Sequence, residues 1–156
     1  LQEFKFDQLS GPVARSAGFT KDLRSGEPIY QNVDWAPITV AGNNAWSRLL
    51  VRLGEIEQCL QLLSNAGNKS VNTFASNITI PTTGMGNGLA KIEGARGELL
   101  LKFHIHAGKL AYLNLSPASA ALAAYVNPMT KQMELSDALL AVNSLDILPH
   151  ELNFKK

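Results

Sequence analysis

Between Asn43 and Ala66 the apolar residues recur at helical spacing: Trp46, Leu49, Leu50, Leu53, Ile56, Leu60 and Leu63 fall on one stripe. The pattern predicts one long central helix with that stripe turned into the core. Asn43 or Asn44 suits its N-cap, and Gly67 suits a left-handed stop. Gly54 sits inside the helix, where glycine costs about 1 kcal/mol against alanine, so a close contact with a neighbouring helix is expected there. Arg52 and Glu55 fall on another face as a surface ion pair.

Further along, strict alternation replaces the helical period. Leu89–Glu93, Gly97–His106 and Lys109–Ser116 read as strands, with Ala107-Gly108 as a hairpin turn. Leu99, Leu101, Phe103 and Ile105 point one way; Leu100, Lys102, His104 and His106 point the other. Ser116-Pro117 predicts the start of a helix over Ala118–Val126 that stops near Asn127-Pro128. Ser136 is expected to cap a last short helix through Asp137–Leu145. Residues 1–42 are punctuated by Gly11-Pro12, Gly18, Gly26, Pro28, Pro37 and Gly42. They read as an irregular segment that wraps another surface, using Phe4, Phe6, Val33 and Trp35. Residues 67–88 turn polar and then glycine-rich. Gly84 and Gly86 lack the Lys-Ser/Thr of a phosphate loop, so a mobile loop is the reading there.

The resulting expectation is α+β: a helical first half with one long central helix, then a small antiparallel sheet and two short C-terminal helices. The 156 residues suit a single domain, with 1–80 mainly loop plus helix and 81–156 hairpin plus two helices. A formal charge of +1 selects no nucleic-acid partner. No apolar run approaches the roughly 18 residues that span a bilayer. Cys59 is the sole cysteine, which excludes an internal disulfide and a cysteine-built metal cage from this chain alone. Its place among leucines predicts an inert core thiol. The composition suits a reducing compartment. The opening at Leu1 without methionine or a secretory pattern suits a partial or processed product.

Two constellations hold candidate chemistry. His104 and His106 share a strand face and form a metal pair if a third ligand joins them; His150 and Glu151 are distant in sequence. Glu93-Gly94-Ala95-Arg96-Gly97-Glu98 sets an arginine between glycines with a carboxylate on each side. Two readings are open for it. Arg96 clamps an anion or lines a polar site, or it pairs with Glu93 or Glu98 and fixes the turn.

Several segments in order resemble the large subunit shared by nickel-iron hydrogenases and the quinone-side (49-kDa-like) arm of respiratory complex I. Ser10-Gly11-Pro12-Val13-Ala14-Arg15-Ser16-Ala17-Gly18 resembles that family's S-G-P-x-A-R-x-x-G, followed by Asp22-Leu23-Arg24 and Pro28-Ile29-Tyr30. Arg48 to Glu55 resembles R-x-L-V-R-L-x-E of its central helix. Glu93 to Glu98 is similar to E-A-P-R-G-E, with Ala95 in place of proline. Asn143-Ser144-Leu145-Asp146-Ile147 is similar to G-S-L-D-I. The match covers about the C-terminal half of the family's large chain. At the terminus Leu148 and Glu151 stand where hydrogenases place nickel-binding cysteines, so no nickel site is expected.

The resemblance implies a piece of an electron-transfer subunit akin to NADH:quinone oxidoreductase, inactive alone and with no cofactor of its own. It would form scaffold and cavity wall beside a partner that holds an iron–sulfur cluster, with a quinone as acceptor. Arg96 would line that cavity, with Glu93 orienting it. The partners implied are the iron–sulfur small subunit, other complex subunits and a chain supplying the missing N-terminal half. The location implied is cytoplasmic, at the inner face of a membrane and peripheral to it. The rival reading is a non-catalytic assembly or interaction protein derived from the same fold, docking through loop 1–42 and hairpin 98–116.

Overall fold

A computed structural model of the chain describes residues 9–67 and 84–150. Phe4, Phe6, most of the polar stretch after Gly67, Glu151 and the terminal lysines lie outside the described residues. The chain opens with α1 (Gly11–Arg15), a 3-10 turn (Leu23–Gly26) and α2 (Pro28–Gln31). Then comes the long helix α3 (Ala45–Gly67). Strands β1 (Gly86–Gly94), β2 (Gly97–His106) and β3 (Lys109–Ser116) form an antiparallel sheet in that order. Helices α4 (Ala118–Thr130) and α5 (Leu135–Ser144) complete the mixed α and β architecture.

Asn44 caps α3 reciprocally with Ser47: its Oδ1 accepts from the Ser47 amide at 2.8 Å, and Ser47 Oγ accepts from the Asn44 amide at 2.8 Å. Gly54 lies close to a neighbour, but the neighbour is Ile38 in the extended segment before the helix. The turn Ala107-Gly108 closes β2 and β3 with both residues at positive φ, as a two-residue hairpin requires. β1 begins earlier than the alternation predicts. Gly86, Asn87 and Gly88 pair with Ile105, His104 and Phe103, so the end of the expected loop is strand. Helix α4 also runs past its expected stop, carrying Pro128 inside it, and Thr130 Oγ bonds back to the Val126 carbonyl in its last turn. α5 starts at Leu135, one residue before Ser136, with Glu134 in the cap position.

The core is not where the apolar stripe points. Leu9, Val13, Ala14, Leu122 and Leu145 form the buried cluster, flanked by Tyr125, Val126, Met129 and Ile147. The segment expected to be irregular thus supplies three core residues, Leu9 and, from α1, Val13 and Ala14. From α3 it is Val51 that is buried, together with the polar Ser47 and Arg48 on the inward side. The predicted stripe faces outward instead. Cys59 is exposed as well, contrary to the core thiol expected. Among the described residues no helix is long and apolar enough to cross a membrane.

Candidate functional site

Three successive devices in the first segment build the site. Gly11 takes φ +71° and lets Pro12 enter α1, which delivers Arg15 into the interior. Asp22 caps the 3-10 turn by accepting from the Arg24 amide at 3.0 Å. Its two oxygens also receive the Arg24 fork, Nε at 2.9 Å and Nη2 at 2.7 Å, the bidentate geometry in which such pairs are strongest. Arg15 then joins three carboxylates from three parts of the chain. Nη1 donates to Asp22 at 2.7 Å and to Glu93 at 3.0 Å; Nη2 donates to Glu55 at 2.6 Å. Arg24 also reaches Glu55 at 3.1 Å and lies 5.0 Å over the Trp35 ring.

The charges in this node do not titrate alike. Burial pushes Asp22 up, but the hydrogen bonds from Arg24 and the nearby Arg15 charge outweigh it, and its carboxyl is held below its ordinary 3.8. Burial raises Glu93 above its ordinary 4.5; the Arg15 hydrogen bond only partly offsets this, and the Asp22 charge adds to it. Arg24 is raised, chiefly by its hydrogen bond to Asp22. Arg48, buried next to Arg52, is lowered by desolvation and then by that neighbouring charge.

Arg96 occupies the tip of the two-residue turn between β1 and β2, which the Gly94–Gly97 pair closes. That turn is packed against the start of α1. A Cβ on Gly11 would collide with the Arg96 carbonyl, and Ser10 Oγ accepts from the Glu98 amide at 2.7 Å. Arg96 Nε donates to Asp146 at 3.1 Å. Next to Asp146, Ser144 receives Arg48 on its hydroxyl and Arg52 on its carbonyl, both at 2.9 Å. A cleft of about 490 Å³ opens here. Glu93, Gly94, Ala95 and Asp146 form one side, with Arg24, Tyr30, Arg52 and Glu55 around it and Ile56, Cys59 and Leu60 as its apolar wall.

Several expectations need correcting. Glu93 is directed to Arg15, while Asp146 holds Arg96. Glu98 pairs with Lys91 at 2.8 Å, and Glu55 pairs with the node while Arg52 bonds Ser144. His104 and His106 do share a face, with ring centroids 6.5 Å apart, and His104 Nδ1 pairs with Asn87 at 2.8 Å. Among the described residues no group of three or more potential ligands gathers to hold a metal ion. Arg15, Asp22 and Glu55 join the site without having been expected there. The signal that marks them in the sequence is that each is a charged residue inside one of the quoted segments.

A family model for the respiratory-chain NADH dehydrogenase 49-kDa subunit matches residues 8–77. The chain resembles that protein. A subunit of the NADH-quinone oxidoreductase of Desulfotalea psychrophila is 28% identical over 153 residues, 92% of this chain and 40% of that protein. The carbon monoxide-induced hydrogenase of Rhodospirillum rubrum is 28% identical over 88% of the chain and 39% of its own length. A subunit of the F(420)H(2) dehydrogenase of Methanosarcina mazei is 30% identical over 58% of the chain and 27% of its own. The chain thus spans at most two fifths of the length of these relatives.

Proposed function

We propose that this chain is a 49-kDa-like piece of an electron-transfer complex, forming scaffold and wall of an acceptor cavity beside a partner that carries an iron–sulfur cluster. On this reading it is one partial large-subunit-like domain of the nickel-iron hydrogenase type, peripheral at the inner face of a membrane. The observation that supports it is convergence. The quoted segments lie far apart in sequence, yet Arg24, Glu55, Glu93 and Asp146 line one cleft, with Arg15 bonded to Glu55 and Glu93, Asp22 to Arg24, and Arg96 to Asp146.

The chemistry assigned to the chain is electrostatic. A quinone-type acceptor gains negative charge as electrons arrive, and fixed guanidinium groups stabilise that charge without reorganising. Arg96, held by Asp146, is the residue proposed for this role. The Arg15 node keeps α1, α3 and β1 in register so that the wall does not give. Cys59 is a single thiol, and an iron–sulfur cluster takes several, so the cluster is assigned to the partner.

Arg96→Met in the assembled complex tests this reading. Acceptor reduction should fall by at least about tenfold, the loss of one charge-stabilising donor, with assembly and melting temperature retained. Equal activity in the variant complex would sink it. A non-catalytic assembly protein is the second reading, favoured by the apolar residues left exposed on α3 and the sheet. Gentle purification discriminates the two. Stoichiometric iron in a co-purifying subunit supports the first, and an iron-free partner the second.

A further inference from the structure

Arg48 carries a buried charge that the fold leaves without a counter-ion. The residue is only 4% exposed, and its Nε donates to the Ser144 hydroxyl at 2.9 Å, at the end of α5. That bond fixes the guanidinium plane and leaves Nη1 and Nη2 as a two-pronged donor face. Among the described residues neither nitrogen has a partner. Burial and the like charge of Arg52 act on the group, and no carboxylate offsets them. Arg15, buried as deeply, collects Asp22, Glu55 and Glu93 instead. A guanidinium cannot shed its proton to escape such a setting. Arg48 lines a cavity of about 240 Å³, whose other walls are Leu9, Val13, Leu122, Leu145, Tyr125 and Met129, with the exposed Asn43. Leu9, Val13, Leu122 and Leu145 are each 2% exposed and belong to the core cluster, so the chain's own interior forms this cavity.

We propose that this cavity binds a small monocarboxylate, its carboxylate on the Arg48 fork and its apolar body against the leucine walls. The charge selects an anion, and the paired Nη donors select a planar one that accepts two parallel hydrogen bonds. The walls select against a fully hydrated anion such as phosphate, which would strip its water and fill none of the apolar surface. The volume sets the size. An apolar cavity of about 150 Å³ takes benzene, so one of about 240 Å³ takes roughly ten non-hydrogen atoms. A short aliphatic or single-ring acid meets that limit. The site is separate from the cleft: Arg52, bonded to the carbonyl of the same Ser144, lines the cleft, whereas Arg48 lines the cavity. The inference does not rest on the electron-transfer reading.

Titration calorimetry of the full chain with hexanoate should show one site per chain, with a dissociation constant at or below about 1 mM. Hexanol keeps the apolar body without the charge, and inorganic phosphate keeps charge without the body. Each should bind at least about tenfold more weakly, the loss of charge-assisted hydrogen bonds or of apolar burial. Arg48→Met should weaken hexanoate by at least about tenfold and leave hexanol unchanged. Met129→Trp, which fills the cavity with Arg48 intact, should weaken both. Leu53→Asp, on the exposed face of α3, should alter neither, which separates the cavity from adsorption to that face. In the unsubstituted chain, hexanoate should shift the Arg48 Nε–H proton resonance, a readout that needs no variant to fold. Absence of hexanoate binding at millimolar concentration would overturn the proposal. So would hexanol or phosphate binding as tightly, an Arg48→Met chain that binds hexanoate unchanged, binding lost in Leu53→Asp, or an unmoved Arg48 resonance at saturation.

Discussion

Removing the Arg15 guanidinium would leave Glu93 and Glu55 buried or half-buried with their strongest partner gone. Breaking a buried ion pair from one side costs about 3–5 kcal/mol, because the remaining charge is neither solvated nor paired. Arg15→Met should lower the unfolding free energy in urea by that amount. Arg15→Lys should recover little of it, since one ammonium cannot present the fork that reaches Asp22, Glu55 and Glu93 together. At this scale the sequence is legible in residue type but not in pairing. Glu93 and Arg96 stand three apart and invite each other. Which carboxylate meets which guanidinium depends on contacts between residues as distant as Arg15 and Glu93, and no local spacing encodes those.

The elements meet at glycines. Gly11 at φ +71° and Gly97 at φ +126° face each other where α1 abuts the β1–β2 turn, and a side chain on either would strike the opposing backbone or Ser10. Gly11→Ala should cost at least about 1–3 kcal/mol from the left-handed backbone alone. It should also loosen the Ser10–Glu98 hydrogen bond, visible as faster exchange of the Glu98 amide. The spacing of apolar residues locates α3, β2 and β3 well, because a period is a local property. It does not say what covers the apolar face of α3. The inward face instead carries Ser47, Arg48 and Glu55, whose polar groups find partners in the Arg15 node, at Asn44 and at Ser144. Pro128 misleads for a related reason. A proline disfavours helix at the residue before it, but α4 continues through it and closes with Thr130 on Val126.

At the scale of the whole molecule the node links stability to pH in two opposed steps. Glu93, raised above 4.5, binds a proton more readily in the folded chain, so stability should rise as the pH falls through its folded value toward 4.5. Asp22, lowered below 3.8, contributes fully above that value, and its share is lost as the pH falls further through its folded value. Melting temperature against pH should therefore pass through a shallow maximum in mild acid. Glu93→Gln should remove the upper limb and leave the lower one. A last consequence concerns the two tryptophans. Trp35 lies beneath Arg24 and beside Tyr30, at a centroid distance of 4.9 Å, whereas Trp46 stands exposed in the first turn of α3. The chain therefore carries two separate optical reporters. With Trp46 replaced by Phe, emission follows the protonation and integrity of the node; with Trp35 replaced by Phe, it follows the wetting or covering of the exposed apolar face of α3.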